Sequence, residues 1–149
     1  MSPEERNTLT AIVCAMVVLG GGALQLTALG SAGQFLGPDA VAVWAREVLW
    51  LMVLGIGFTI AVSIVVAIAA GIATRGAERA DLVDERDRMI RGWGTRVTMV
   101  VSSAGFLLGV AMLAIGWTVI AGLNTMLAAF AFGALAGDLT KLVLYRRGM

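Results

Sequence analysis

At 149 residues, with 59% apolar side chains and only 14% charged, the chain has room for one domain and carries far less charge than the roughly 25% of a soluble one. Lipid is the solvent that such a composition suits. The inventory also excludes chemistry: without histidine, and with Cys14 as the sole cysteine, one copy cannot build a His-held haem, a His-ligated zinc, a thiolate cluster or an internal disulfide.

The first apolar stretch runs from about Thr8 to Leu29. It exceeds a signal-peptide core, and Glu4, Glu5 and Arg6 before it lack a positive excess, so it is expected to stay as the first span. Ala28-Leu29-Gly30 only loosely resembles a cleavage site. Cys14 sits in this stretch as a small hydrophobe, and Gln25 lies near its outer end. The second span fills residues 50–74; the 24 residues between Trp50 and Arg75 are enough to cross about 30 Å of hydrocarbon with tilt. Gly37-Pro38-Asp39 is a plausible start for the same helix, with Ala40, Ala42 and Ala45 favouring it and Arg46 and Glu47 in the outer headgroup region. The third and fourth spans cover 97–117 and 124–145. The short link around Trp117 to Leu123 makes them antiparallel neighbours. Pro3 and Pro38 lie outside all four spans, so each is expected to be continuous.

Orientation follows from the basic residues. Arg6, the loop arginines 75, 79, 86, 88, 91 and 96, Lys141, Arg146 and Arg147 fall on one side, and Arg46 alone on the other. The positive-inside rule puts the crowded side in the cytoplasm. Trp44, Trp50, Trp93, Trp117 and Tyr145 fall near span ends, as an aromatic belt requires. The expected fold is therefore all-α: residues 1–149 form a single transmembrane domain, an up-down bundle of four helices in the inner (cytoplasmic) membrane with both termini inside.

Membrane helices associate through small residues, and residues four apart lie on one face. The second span carries Gly55, Thr59, Ser63, Ala67 and Gly71, the third Gly105 and Gly109, the fourth Thr125, Ala129, Gly133 and Gly137. Packing within the chain's own bundle accounts for any one of these ladders. Three of them leave a face for a second copy or a partner helix.

Between the second and third spans lies a charged cytoplasmic loop, residues 75–96. Ala77 to Arg91 reads as a short helix with Leu82, Val83, Met89 and Ile90 in a stripe and with Gly76 and Gly92 as breaks at its ends. Asp84 with Arg88, and Asp87 with Arg91, are acid-before-base pairs at the favourable spacing, each contributing a few tenths of a kcal/mol. The arginines neutralise the carboxylates as a cation site, and no calcium-loop spacing is present. Five acids in turn blunt the loop as a lipid-headgroup clamp. Asp84, Glu85, Arg86, Asp87 and Arg88 are the candidate contact with a protein partner.

The run Asp84-Glu85-Arg86-Asp87-Arg88-Met89-Ile90 ahead of a span, and the closing Leu142-Val143-Leu144-Tyr145-Arg146-Arg147-Gly148, resemble a family of uncharacterised small four-helix prokaryotic membrane proteins. The resemblance covers roughly the second half of the chain. It implies the four-span topology and no particular activity.

Asp138 is the one ionisable residue well inside a span, about 10 Å inward of Tyr145. Intramembrane carboxylates often serve as ion or proton sites. Lys141, three residues on, can pair with it instead, and Asp138 with Lys141 is expected to be a structural pair. Ser102, Ser103 and Thr118 have no base in the chain to activate them. No catalytic, cofactor or metal site is expected, and no nucleic-acid partner. The expected function is that of a non-enzymatic accessory, scaffold or regulatory subunit, bound to membrane lipids and to other membrane subunits or to copies of itself. The alternative is a small oligomeric transporter or channel. Chain length and four spans suit the small multidrug exporters, but the glutamate those place in the first span is missing here.

Overall fold

A computed structural model of the protein describes residues 3–73 and 85–147. Four helices account for nearly all of them: α1 (Pro3–Ser31), α2 (Ala40–Ala73), α3 (Glu85–Ala114) and α4 (Val119–Arg146). Each is long and apolar enough to cross a membrane, with mean hydropathy of 2.0, 2.7, 2.1 and 1.9 in chain order. The chain is thus all-helical, with four candidate membrane-spanning helices. Its exterior is what lipid would require: Leu24, Leu54, Ile72, Leu107 and Phe132 are all more than 60% exposed, whereas water favours burying such side chains.

The turns are set by chemistry at the helix ends. Gly33 and Gly116 adopt φ of +74° and +86°, the left-handed conformation that glycine takes without strain. After α3, the amide of Trp117 donates to the Met112 carbonyl at 3.0 Å and that of Gly116 to Leu113 at 3.2 Å. Gln34 and Gly33 repeat the pattern after α1, donating to Leu29 and Gly30. Both are paired bonds that satisfy the last carbonyls of a helix. Two residues past Gly116, the Thr118 hydroxyl accepts the amide of Ala121 at 3.3 Å and caps α4. A stop and a start this close together fold α3 straight back onto α4.

The helices are unequal partners. α3 and α4 pack along their whole length; α1 lies on α4, and α2 lies on α1 with slight contact to α4. The arrangement is a tight hairpin with two helices added in series. One end is shared by the start of α1, the start of α3 and the end of α4: Arg146 Nε stands 3.7 Å from Glu5 Oε1, and Arg86 donates to the Tyr145 carbonyl at 3.4 Å. The opposite end is tied by Gln25 donating to Glu47 at 3.1 Å and by the Trp44 indole donating to Asn124 Oδ1 at 2.7 Å.

Two sequence expectations about helix limits change. Gly92 is not a break: α3 runs unbroken from Glu85 to Ala114, because a lone glycine costs only about 1 kcal/mol against alanine and the flanking turns carry the helix through. Met89 and Ile90 do not share a stripe either. Ile90 is 3% exposed and Met89 66%, since neighbours on a helix point about 100° apart. Gly76, Leu82, Val83 and the partner-contact candidate Asp84 lie outside the described residues.

Candidate functional site

The α3–α4 interface is built on missing side chains. A Cβ placed on Gly105 would strike Ala129; one on Gly109 would sit 2.5 Å from Met126 Cγ and 3.0 Å from the Gly122 carbonyl. A Cβ on Gly133 would strike the Ser102 hydroxyl and stand 3.0 Å from the Thr98 carbonyl. On Gly137 it would strike the Thr98 hydroxyl and lie 2.7 Å from the Gly94 carbonyl. Gly105, Gly109, Gly133 and Gly137 therefore pack inside the chain, each against the facing helix. Contacts recur at three- and four-residue steps on both helices, so the two backbones stay close from Gly94–Gly137 to Gly109–Gly122.

Gly94 and Gly122 belong to this seam as fully as the four glycines that the ladders single out. Both are buried. The signal for them was present in the sequence: Gly94 precedes Thr98 by four, and Gly122 precedes Met126 by four. They fall in or near the links between spans, where a glycine reads first as a turn residue.

In α2 the ladder does not form one face. Gly55 is buried, and a Cβ there would lie 2.8 Å from Val18 Cγ1 of α1. Ser63, Ala67 and Gly71 are exposed, and a Cβ on Gly71 would meet nothing within 4 Å. A four-residue step overshoots a 3.6-residue turn by about 40°, so a straight ladder walks around the helix. The half-buried positions inward of Gly55 are Thr59, Val62, Val66 and Ala70, and between Ile56 and Ile72 no residue is buried.

Lys141 and Asp138 form the expected contact. The ammonium donates to Asp138 Oδ1 at 2.8 Å, with the side chains 27% and 21% exposed. The lysine stem also passes over Gly94, where a Cβ would come within 2.6 Å of both its Cγ and Cε. One residue thus neutralises a carboxylate and fills the notch at the end of the α3–α4 seam. Of the charged run, Glu85, Arg86 and Arg88 are exposed and Asp87 is half-buried in the first turn of α3. Among the described residues Asp87 and Arg91 make no ion pair. Arg96 stacks over the Trp93 ring at 5.3 Å from its centroid. Cys14 is 2% exposed. No three Asp, Glu or Cys side chains converge among the described residues.

The indole–amide bond between Trp44 and Asn124 has no counterpart in the sequence reading. It couples α2 to the first turns of α4, where the two helices otherwise barely meet. Trp44→Phe keeps the ring and removes the donor, leaving the Asn124 carbonyl oxygen unpaired. A loss of about 1–2 kcal/mol is expected in the thermal stability of the purified chain. An unchanged midpoint would mean that α2 is held in some other way.

No family model, curated protein or solved structure compared with this chain matches it.

Proposed function

We propose that this is a multi-pass protein of the cytoplasmic membrane, with both termini inside, that serves as a non-enzymatic accessory, scaffold or regulatory subunit of a larger membrane assembly. The observation that carries the reading is the contrast between its two halves. The α3–α4 hairpin uses its small residues internally, while α2 presents Ser63 and Ala67 outward along a stretch with no buried residue. A helix that offers small side chains outward lets another backbone approach closely, the way helices associate in lipid. The resemblance to small four-helix prokaryotic membrane proteins agrees with the topology. Among the described residues, eight of the nine basic side chains belong to one set of helix ends, which supports the cytoplasmic placement of that end.

The charged start of α3 supplies the second contact in this reading. Glu85, Arg86 and Arg88 are exposed at the same end as the start of α1 and the end of α4, in reach of a cytoplasmic or juxtamembrane partner. Reversing Glu85 and Asp87 to lysine, together with Asp84, is expected to dissociate the assembly without affecting insertion. Gentle extraction of the tagged chain from its own membranes, followed by intact mass, reads this directly. A variant that co-purifies the same partners at the same ratio would remove the charged run from the interface.

The transport alternative rests on Asp138, whose carboxylate is engaged by Lys141. Flux across proteoliposomes that disappears in Asp138→Asn would revive it.

A further inference from the structure

The extension of α3 beyond its apolar segment sorts charges that the sequence leaves mixed. Ile90 and Gly94 are buried towards α4, and half-buried Asp87, three residues before Ile90 and seven before Gly94, lies on the same side of the helix. The opposite side holds Arg88, Met89, Gly92, Trp93 and Arg96, all exposed. Arg88, Gly92 and Arg96 form one four-residue row, so a glycine stands between two arginines. A Cβ on Gly92 would meet nothing within 4 Å. The row is an open notch, about 12 Å long at the helix rise of 1.5 Å per residue, with a guanidinium at either end.

Its chemistry selects an anion at the membrane surface. From Val97 to Ala114 α3 carries no charge, which sets Arg96 where the apolar segment begins. Trp93, 51% exposed, lies one turn outward and carries the Arg96 guanidinium on its face, the pairing of amphipathic ring and cation that holds side chains at headgroup depth. Stacking engages the guanidinium's face and leaves its N–H edge available to a phosphate oxygen. Neither Arg88 nor Arg96 has a carboxylate within 4 Å among the described residues. Among the described residues the acid on this side is Glu85, about 16 Å along the axis from Arg96.

We infer that the Arg88–Gly92–Arg96 notch, backed by Trp93, binds the phosphate of an anionic phospholipid from the cytoplasmic leaflet. The inference rests on the membrane reading above. The two arginines grip the headgroup from either end, Gly92 leaves room for it, and Met89 and Trp93 contact the glycerol and upper acyl region. The two described loop acids do not cancel this attraction at Arg96, because Asp87 is on the α4 side of the helix and Glu85 is distant.

The test is native mass spectrometry of the full chain in mild detergent, titrated with phosphatidylglycerol and with phosphatidylcholine of the same acyl chains. Phosphatidylglycerol adducts are expected to outlast phosphatidylcholine adducts. Arg96→Gln should weaken phosphatidylglycerol retention about 5-fold and the Arg88→Gln/Arg96→Gln pair about 25-fold, from roughly 1 kcal/mol per arginine near an anionic surface. Arg91→Gln, on the same turns but away from the notch, should leave retention unchanged. Equal retention of the two lipids, an unaltered double variant, or an Arg91→Gln loss matching that of Arg96→Gln would each overturn the site. Alkaline extraction of membranes separates the two levels: release of the wild-type chain overturns the membrane reading itself, whereas a chain that stays inserted without lipid preference overturns only the notch.

Discussion

Gly137→Ala is expected to lower the stability of the purified chain by about 1–3 kcal/mol, and Gly137→Leu to prevent the α3–α4 hairpin from closing. The added methyl would strike the Thr98 hydroxyl and stand 2.7 Å from the Gly94 carbonyl. A flexible side-chain end can swing away from such a collision, but a helix backbone moves only with its neighbours. Thr98 has little freedom as well, because its hydroxyl donates to the Gly94 carbonyl at 3.1 Å. Relief therefore requires α3 and α4 to separate along the seam, with loss of the dispersion contacts that hold helices together in lipid. Gly92→Ala is the control: it lies on α3, the other helix of the hairpin and outside the seam, a Cβ there meets nothing within 4 Å, and it should be neutral or stabilising by up to about 1 kcal/mol through helix propensity. Equal effects of the two alanines on the thermal midpoint in detergent would contradict the close backbone approach.

Removing the cation opposite Asp138 should have the next largest effect. Lys141→Met preserves most of the stem that covers Gly94 but leaves the Asp138 carboxylate, 21% exposed, without the ammonium it holds at 2.8 Å. A loss of roughly 1–3 kcal/mol is expected, between the small worth of a surface pair and the larger cost of stranding a buried charge. Asp138→Asn alone should cost less, because the lysine can snorkel towards the headgroups. Adding it to Lys141→Met should restore much of the stability, since no charge is then stranded. That recovery is the signature of a structural pair, and additive losses in the double variant would show that the two side chains act independently.

Much of this architecture was legible in the sequence, and the reasons differ from element to element. The four helices follow from apolar runs whose length matches a bilayer, a signal that needs no tertiary information. The start of α2 at Ala40 was readable from Gly37-Pro38-Asp39, and the hairpin from the brevity of the link after Trp117. The third-helix glycines and the Ala129–Gly133–Gly137 ladder share one seam because α3 and α4 stay close along it. The same spacing in α2 misleads beyond Thr59, because the half-buried positions there are Val62, Val66 and Ala70 rather than the ladder. Spacing alone does not say whether a neighbour follows it.

The serial packing of α2 on α1 and α1 on α4 was not legible, since an up-down order of spans fits several arrangements. Nor was the Trp44–Asn124 bond: Trp44 reads as one of the belt aromatics near a span end, and only the fold brings its indole 2.7 Å from Asn124, 80 residues distant in sequence. Thr118 and Gly116 carried local cap signals, which the sequence reading left unused.

The measurement that tests the central claim most directly is photo-crosslinking in native membranes from a reactive residue at Ala67, compared with the same residue at Leu107. Both positions are exposed, one on the outward side of α2 and the other on α3. The account predicts a discrete, near-stoichiometric protein adduct from Ala67, of another subunit or a second copy, and lipid adducts alone from Leu107. Lipid adducts alone from both positions would show that α2 faces the bilayer, and would contradict an accessory subunit that docks through it.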